Sequence, residues 1–261
     1  MGLLSRWRRR RSFAADGVQI SEEGGVRYLH LDSETVQSGM RIGAPDELVL
    51  SYTRSMLSFL LFVPPPPRLV NIGLGGGSLA KWIRCHLRDT QQVVLELNPH
   101  IIRVARQQFC LPPDDSQFCV IEGDGARWIW EHPDCADVVL VDGYDGRAQA
   151  SELATDEFYR NAARSLRAAG VLVVNLWGND RRFDGYLQRI EAAFDGQVCC
   201  VPAAQRGNII VLAFKQRPCA TRWDELQARA RELETAYGIE FPQIVGSMRA
   251  LNPHTMRRLL I

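Results

Sequence analysis

The segment Asp142-Gly143-Tyr144-Asp145 sets two carboxylates around an aromatic, close behind an apolar run. Two acids in that arrangement can bind a cation and take its proton. The same residues also suit an ordinary turn, where Asp and Gly serve for their backbone tolerance. Upstream, Asp124-Gly125 follows another apolar run. An acid there can accept a hydrogen bond from an adenine amino group, while Gly125 lets the ring lie close. Glu96 closes a third run, where a carboxylate can accept both hydroxyls of a ribose. Ahead of all three, Gly73-Leu74-Gly75-Gly76-Gly77 lets the backbone approach a ligand, and the helix after it offers free N–H groups.

Taken singly these signals are broad. Glycine-rich first turns occur in many α/β proteins, and the acid at Glu96 is shared with NAD enzymes. The turn departs from a dinucleotide fingerprint because the sixth position is Ser78, and it lacks the Gly-Lys-Ser/Thr of a P-loop. Asp124 is the discriminating residue, since dinucleotide folds place no regular acid there. Together, the positions fall on successive strand ends, where one adenosine-type ligand at the carboxyl edge of a sheet would meet them all.

The elements that must position these residues alternate. Strands are predicted over 69–74, 93–97, 118–123, 136–142 and 171–177, with helices over 78–87, 99–109, 126–131, 155–168 and 181–194. Two last strands, in QVCCVPA and NIIVLAFK, are close enough in sequence to pair antiparallel. This is the pattern of an α/β protein with a class I methyltransferase-like Rossmann fold: a mostly parallel seven-stranded sheet whose last strand is antiparallel. Before it, residues 17–63 read as a small N-terminal β-region plus a helix over 46–63, closed by Pro64 to Pro67. The main domain is placed at 68–216 and a C-terminal helix and tail at 217–261. Residues 1–16, with the basic run Arg8 to Arg11, read as a disordered, solvated tail.

Composition narrows the class further. Of the 261 residues 46% are hydrophobic and 23% charged, and the formal net charge is +1. A near-neutral chain has no whole-molecule field to attract nucleic acid or a membrane surface. There is no signal-peptide h-region and no apolar run long enough to span a bilayer, so the expected location is cytoplasmic. Seven cysteines without CxxC spacing read as buried reduced thiols, and no His/Cys cluster points to a metal.

From about Val26 to Lys215 the chain resembles the spermidine synthase (polyamine aminopropyltransferase) family. The resemblance rests on LHLD (29–32) with nearby Gln37, GLGGGS (73–78), ELNPHII (96–102), GDGARW (123–128), VLVDGYDG (139–146) and EFYRNAARSLRAAGVLVVNLWG (157–178). It implies binding of decarboxylated S-adenosylmethionine, aminopropyl transfer to an amine or polyamine acceptor without a metal, and a homodimer. It further implies that Glu96 holds the ribose, Asp124 the adenine amine and Gln37 the nucleoside, with Asp142 as base. Gly73, Gly75, Gly77 and Gly125 would shape the nucleoside site, and Tyr144 and Asp145 would face the acceptor, Asp145 holding a second positive centre.

Three departures fall on the amine side. The family's Gly-Gly-Gly-Asp-Gly gives way to Ser78 and Leu79 where its acid and last glycine are expected. Its Asp-Ser-Ser-Asp-Pro has become Asp142 to Gly146, which keeps both acids and changes the wall between them. Its aromatic-rich strand opening is replaced by PAAQRGN (202–208). A methyltransferase using intact S-adenosylmethionine, or a catalytically silent nucleoside-binding protein, therefore stays open at this stage.

Overall fold

The computed structural model describes residues 10–13, 17–31, 36–143, 150–205, 207–219 and 221–261. β1 (Arg10–Phe13), β2 (Val18–Glu23), β3 (Val26–Leu31) and β4 (Val36–Arg41) form an antiparallel sheet in sequential order. The β2–β3 turn is made by Gly24 and Gly25, both at positive φ (59° and 77°), which glycine adopts without steric cost. β1 lies inside the segment read from sequence as a solvated tail, and there it pairs with residues 19–22 of β2. An edge strand can be held by main-chain bonds alone, so no apolar periodicity announces it.

The helix expected over 46–63 is shorter. α1 (Ser51–Met56) runs straight into a 3-10 turn, Leu57–Leu61. Asp46 and Glu47, which read as acids of a first helical turn, are engaged elsewhere. Glu47 sits 2.6 Å from the Arg41 guanidinium and Asp46 3.5 Å from His86.

The main domain follows as β5 (Arg68–Ile72), α2 (Ser78–His86), β6 (Gln91–Glu96), α3 (Pro99–Gln108), β7 (Phe118–Glu122), α4 (Gly125–Glu131) and β8 (Ala136–Val141). α5 (Asp156–Ser165), β9 (Leu166–Trp177), α6 (Phe183–Ala193), β10 (Val198–Pro202) and β11 (Asn208–Phe214) complete it. The seven strands lie in the order β10-β11-β9-β8-β5-β6-β7. The pairs from β9 to β7 are parallel, and β11 runs antiparallel to both its neighbours. α5 stops three residues short of the predicted end because Leu166, fully buried, already pairs with Ala136 of β8.

Alternate residues of each strand face opposite layers. Leu69, Leu140, Val173 and Leu212 pack toward α2 and the C-terminal helices, whereas Val70, Val139, Val174 and Val211 meet α5 and α6. Burial of each such side chain stabilises by about 1.5–3 kcal/mol. Val18, Leu29 and Met40 of the N-terminal sheet form a third cluster with Ala105 and Phe109.

After the sheet come α7 (Trp223–Tyr237), ended by Gly238 at φ 68°, and a helix that the sequence reading leaves unassigned, α8 (Phe241–Met248). α8 buries Phe241, Ile244, Val245 and Met248, a helical stripe laid on α7 and β10. Of the cysteines only Cys199 and Cys200 are buried; Cys85, Cys110 and Cys219 are exposed, contrary to the core role expected of the first two, and none is disulfide-bonded. Among the described residues no helix is long and apolar enough to cross a membrane.

Candidate active site

The chain leaves β5 for β6 and β7 on one side, then returns to β8 on the other. The tips of β5 and β8 therefore flank the switch point, where open α/β sheets form their crevice. A cavity of about 440 Å³ lies there, and Gln37, Gly73, Gly75, Glu96, Asp124, Gly125 and Asp142 all line it. Gly77 stands just behind, as the left-handed residue capping α2. Tyr144 and Asp145 lie outside the described residues.

The crevice floor is built by close backbone approach. The Gly73 N–H donates to the Leu95 carbonyl and the Asp142 N–H to the Ile72 carbonyl, each at 2.9 Å. Gly73 has φ 94°, and a Cβ there would lie 2.2 Å from the Asp142 carbonyl oxygen. Only glycine lets β5 and β8 converge so tightly. Gly125 is required for a different reason from the one its motif suggests. A Cβ there would meet Ile72 at 2.5 Å, so packing alone demands glycine.

Glu96 is 8% exposed and is held by the loop it faces. Oε2 accepts the Leu74 N–H at 3.0 Å, and Oε1 accepts the Asn98 N–H at 2.9 Å. Burial pushes its carboxyl above the ordinary value, and these backbone donors oppose the shift. Asp124 caps α4: its Oδ1 accepts from the N–H groups of Ala126 and Arg127 at 2.8 and 3.3 Å. Both bonds fall on one oxygen, and Asp124 itself lines the cavity.

Asp142 sits half-buried at the end of β8. The Asn175 amide donates to Oδ1 at 2.8 Å and the Tyr52 hydroxyl to Oδ2 at 3.0 Å. Burial raises its carboxyl above the usual range, and both neutral donors pull it back. No lysine or arginine is among the described residues that line the cavity. A carboxylate so placed is a hydrogen-bonded acceptor with raised proton affinity and, among the described residues lining the cavity, no counter-ion. That is the condition for a base facing an amine.

Sequence reasoning missed Tyr52, Asn71 and Asn175. Tyr52 lies in the segment read as a helix over 46–63, and its hydroxyl reaches both Asp142 and the Gln37 carbonyl, the latter at 3.2 Å. Asn71 and Asn175 carried a usable signal. Each is a lone amide in an otherwise apolar strand, and a buried amide needs partners. Asn71 Nδ2 donates to the Gly73 carbonyl at 2.6 Å, while its Oδ1 is buried against the cavity without a protein donor. At the position where the family's acid was expected, the Ser78 hydroxyl donates to the Gly39 carbonyl at 3.1 Å and lies 3.2 Å from the Ser38 hydroxyl. The described part of the amine side is thus neutral apart from Asp142 and Glu152.

The model of the spermine/spermidine synthase domain matches residues 49–223. The chain is 43% identical over 244 residues to a polyamine aminopropyltransferase of Chromobacterium violaceum, with 94% of each chain covered. It is 42% identical to a protein of the same name from Neisseria meningitidis serogroup A, covering 91% of this chain and 90% of the relative. Its fold is similar to that of a spermidine synthase in complex with the transition-state analogue AdoDATO, with a TM-score of 0.72 at 18% identity, covering 93% of this chain and 84% of the other.

Proposed function

Because the chain belongs to the spermine/spermidine synthase family, we propose that it is a polyamine aminopropyltransferase. Its nucleoside substrate would be decarboxylated S-adenosylmethionine and its acceptor an amine or polyamine. The observation that carries this reading is the placement of Asp142. It lines the same cavity as Glu96 and Asp124, and among the described residues its donors are the neutral Asn175 and Tyr52.

The sulfonium of the donor supplies an activated leaving group, so the protein's task is in-line placement and a deprotonated amine. Glu96, braced by the Leu74 and Asn98 N–H groups, presents its remaining lone pairs to the two ribose hydroxyls. Asp124 keeps Oδ2 for the adenine amino group, and Gln37 closes the nucleoside side from the N-terminal sheet. An alkylammonium with a pKa near that of lysine, about 10.4, is almost wholly protonated at pH 7. Asp142 would hold that cation and accept its proton as the nitrogen attacks carbon. Burial favours the step, because it raises the proton affinity of the carboxylate above that of an exposed aspartate. Asp145 would meet a second ammonium of a longer acceptor, and the assembly would be a homodimer, which light scattering can test.

The deciding experiment is single-turnover transfer from decarboxylated and, separately, intact S-adenosylmethionine to a panel of diamines and polyamines. Methylthioadenosine should form with the decarboxylated donor only. Transfer of a methyl group from the intact donor, with none from the decarboxylated one, would replace this reading.

A further inference from the structure

We propose that Asn208 is a positioning residue for Asp142, setting which end of the Asn175 side-chain amide faces that carboxylate; the proposal rests on the reading of Asp142 as the base. Asn208 belongs to the segment PAAQRGN (202–208), one of the three departures from the family pattern. It opens β11, where it pairs with Trp177 while Ile210 pairs with Asn175. Asn208 is therefore the diagonal neighbour of Asn175 on the same face of the antiparallel pair, within reach of its side chain.

The contacts form a line. Asn208 Nδ2 donates to Asn175 Oδ1 at 2.9 Å, and Asn175 Nδ2 donates to Asp142 Oδ1 at 2.8 Å. Asn175 is 3% exposed, so water does not compete for its amide. The two ends of an amide are nearly the same size and opposite in hydrogen-bond character. Turned one way Asn175 donates to an ionised Asp142, and turned the other it accepts from a protonated one. A donor at position 208 selects the first arrangement. Trp177 and Gly207 hold this strand pair in register: Gly207 has φ 125°, a Cβ there would lie 2.2 Å from the Trp177 ring, and its carbonyl accepts the Gly178 N–H at 2.6 Å.

Tyr52 donates to Asp142 directly from α1 at 3.0 Å, while Glu96, Asp124 and Glu152 line the same cavity from β6, α4 and the 3-10 turn Ser151–Ala154. Tyr144 and Asp145 follow it in sequence outside the described residues. Substitution at 208 leaves all of these in place, and Asn208→Leu adds no charge, so a change in its Asp142 titration reports the amide line; Asn208→Asp adds a carboxylate whose charge by itself raises that titration.

The test compares wild type with Asn208→Asp and Asn208→Leu by two measurements. One is the acid limb of kcat/KM against pH for amine transfer. The other is the carboxyl ¹³C titration of Asp142, assigned by its loss in Asp142→Asn. Asn208→Asp presents an acceptor to Asn175, which turns the amide carbonyl toward Asp142. Its titration should then move up by about one pH unit, the size of one charge-assisted hydrogen bond. Asn208→Leu should give a smaller upward shift and a melting temperature lowered by a few degrees, because it leaves the buried Asn175 Oδ1 without its donor, with methylthioadenosine affinity near wild type. An unchanged Asp142 titration in folded Asn208→Leu would overturn the proposal, whatever Asn208→Asp shows. Should the wild type transfer nothing, the base reading fails on its own, and the carbon titration still decides whether Asn208 orients Asn175.

Discussion

The Tyr52 hydroxyl lies 3.0 Å from Oδ2 of Asp142, which ties a helix preceding the main domain to the end of its fourth strand in chain order. Removing this donor leaves burial less opposed. Tyr52→Phe should therefore move the acid limb of kcat/KM to higher pH. The sign follows from the base role: activity is lost as pH falls through the Asp142 titration, and a weaker hold on the carboxylate raises the pH at which that happens. A pH–rate profile in which the limb moves down or stays would count against Asp142 as the group observed.

Asp142→Asn keeps the shape of the site and cannot take a proton. Turnover should fall by about 10²–10⁴-fold, with methylthioadenosine affinity nearly unchanged, as read by single-turnover transfer beside calorimetry. Wild-type turnover in this variant would assign the base elsewhere.

Asp124→Ala and Glu96→Gln should each weaken nucleoside binding by roughly 1–3 kcal/mol, and they should differ in stability. Asp124 is also the cap of α4, so its loss costs a further 0.5–2 kcal/mol or so of folding stability. Glu96→Gln keeps an acceptor for one of the two loop N–H groups. Calorimetry with methylthioadenosine and denaturant titrations separate the two effects; equal stability losses would contradict the capping role.

Ser78→Asp restores an acid near the family's position without restoring its surroundings. The Ser78 hydroxyl is a buried donor to the Gly39 carbonyl, and a carboxylate would set two acceptors against each other. The expected outcome is a lower melting temperature by several degrees and no gain in kcat/KM for any amine. A gain in turnover with intact stability would show that this position still serves the amine.

Lys81 supplies a pH test of the fold. It is 4% exposed, donates to the Phe109 carbonyl at 2.6 Å, and burial lowers its pKa to about 8. The unfolded chain keeps this lysine protonated up to about 10.4. Between those values the unfolded state binds the extra proton, so stability rises with pH across that window. Relative to Lys81→Met, wild type should gain roughly 2 kcal/mol from pH 7.5 to 10, measured by urea unfolding. A flat difference would mean that Lys81 is solvated.

The seven-stranded sheet was legible because its strands are short apolar runs separated by amphipathic helices, a pattern local to each element. Glu96, Asp124 and Asp142 were legible for the same reason, each being the acid that closes such a run. Asn175 and Asn71 showed in the sequence as amides inside apolar strands, but only a view of the neighbours shows which groups they serve. β1 and α8 were missed because one is held by main-chain pairing and the other by packing onto α7 and β10.

By itself, then, the sequence determined the order of elements and the acids at their ends, since hydrophobic period and turn chemistry act over a few residues. Tertiary structure alone decided which polar groups meet. Tyr52, Asn175 and Asn208 stand far apart in the chain, and they meet around Asp142, Asn208 through Asn175, because β8, β9 and β11 are neighbours and α1 packs on β9 and β11. Hydrogen bonds act over about 3 Å, so a constellation drawn from four separate elements exists only once the sheet has formed.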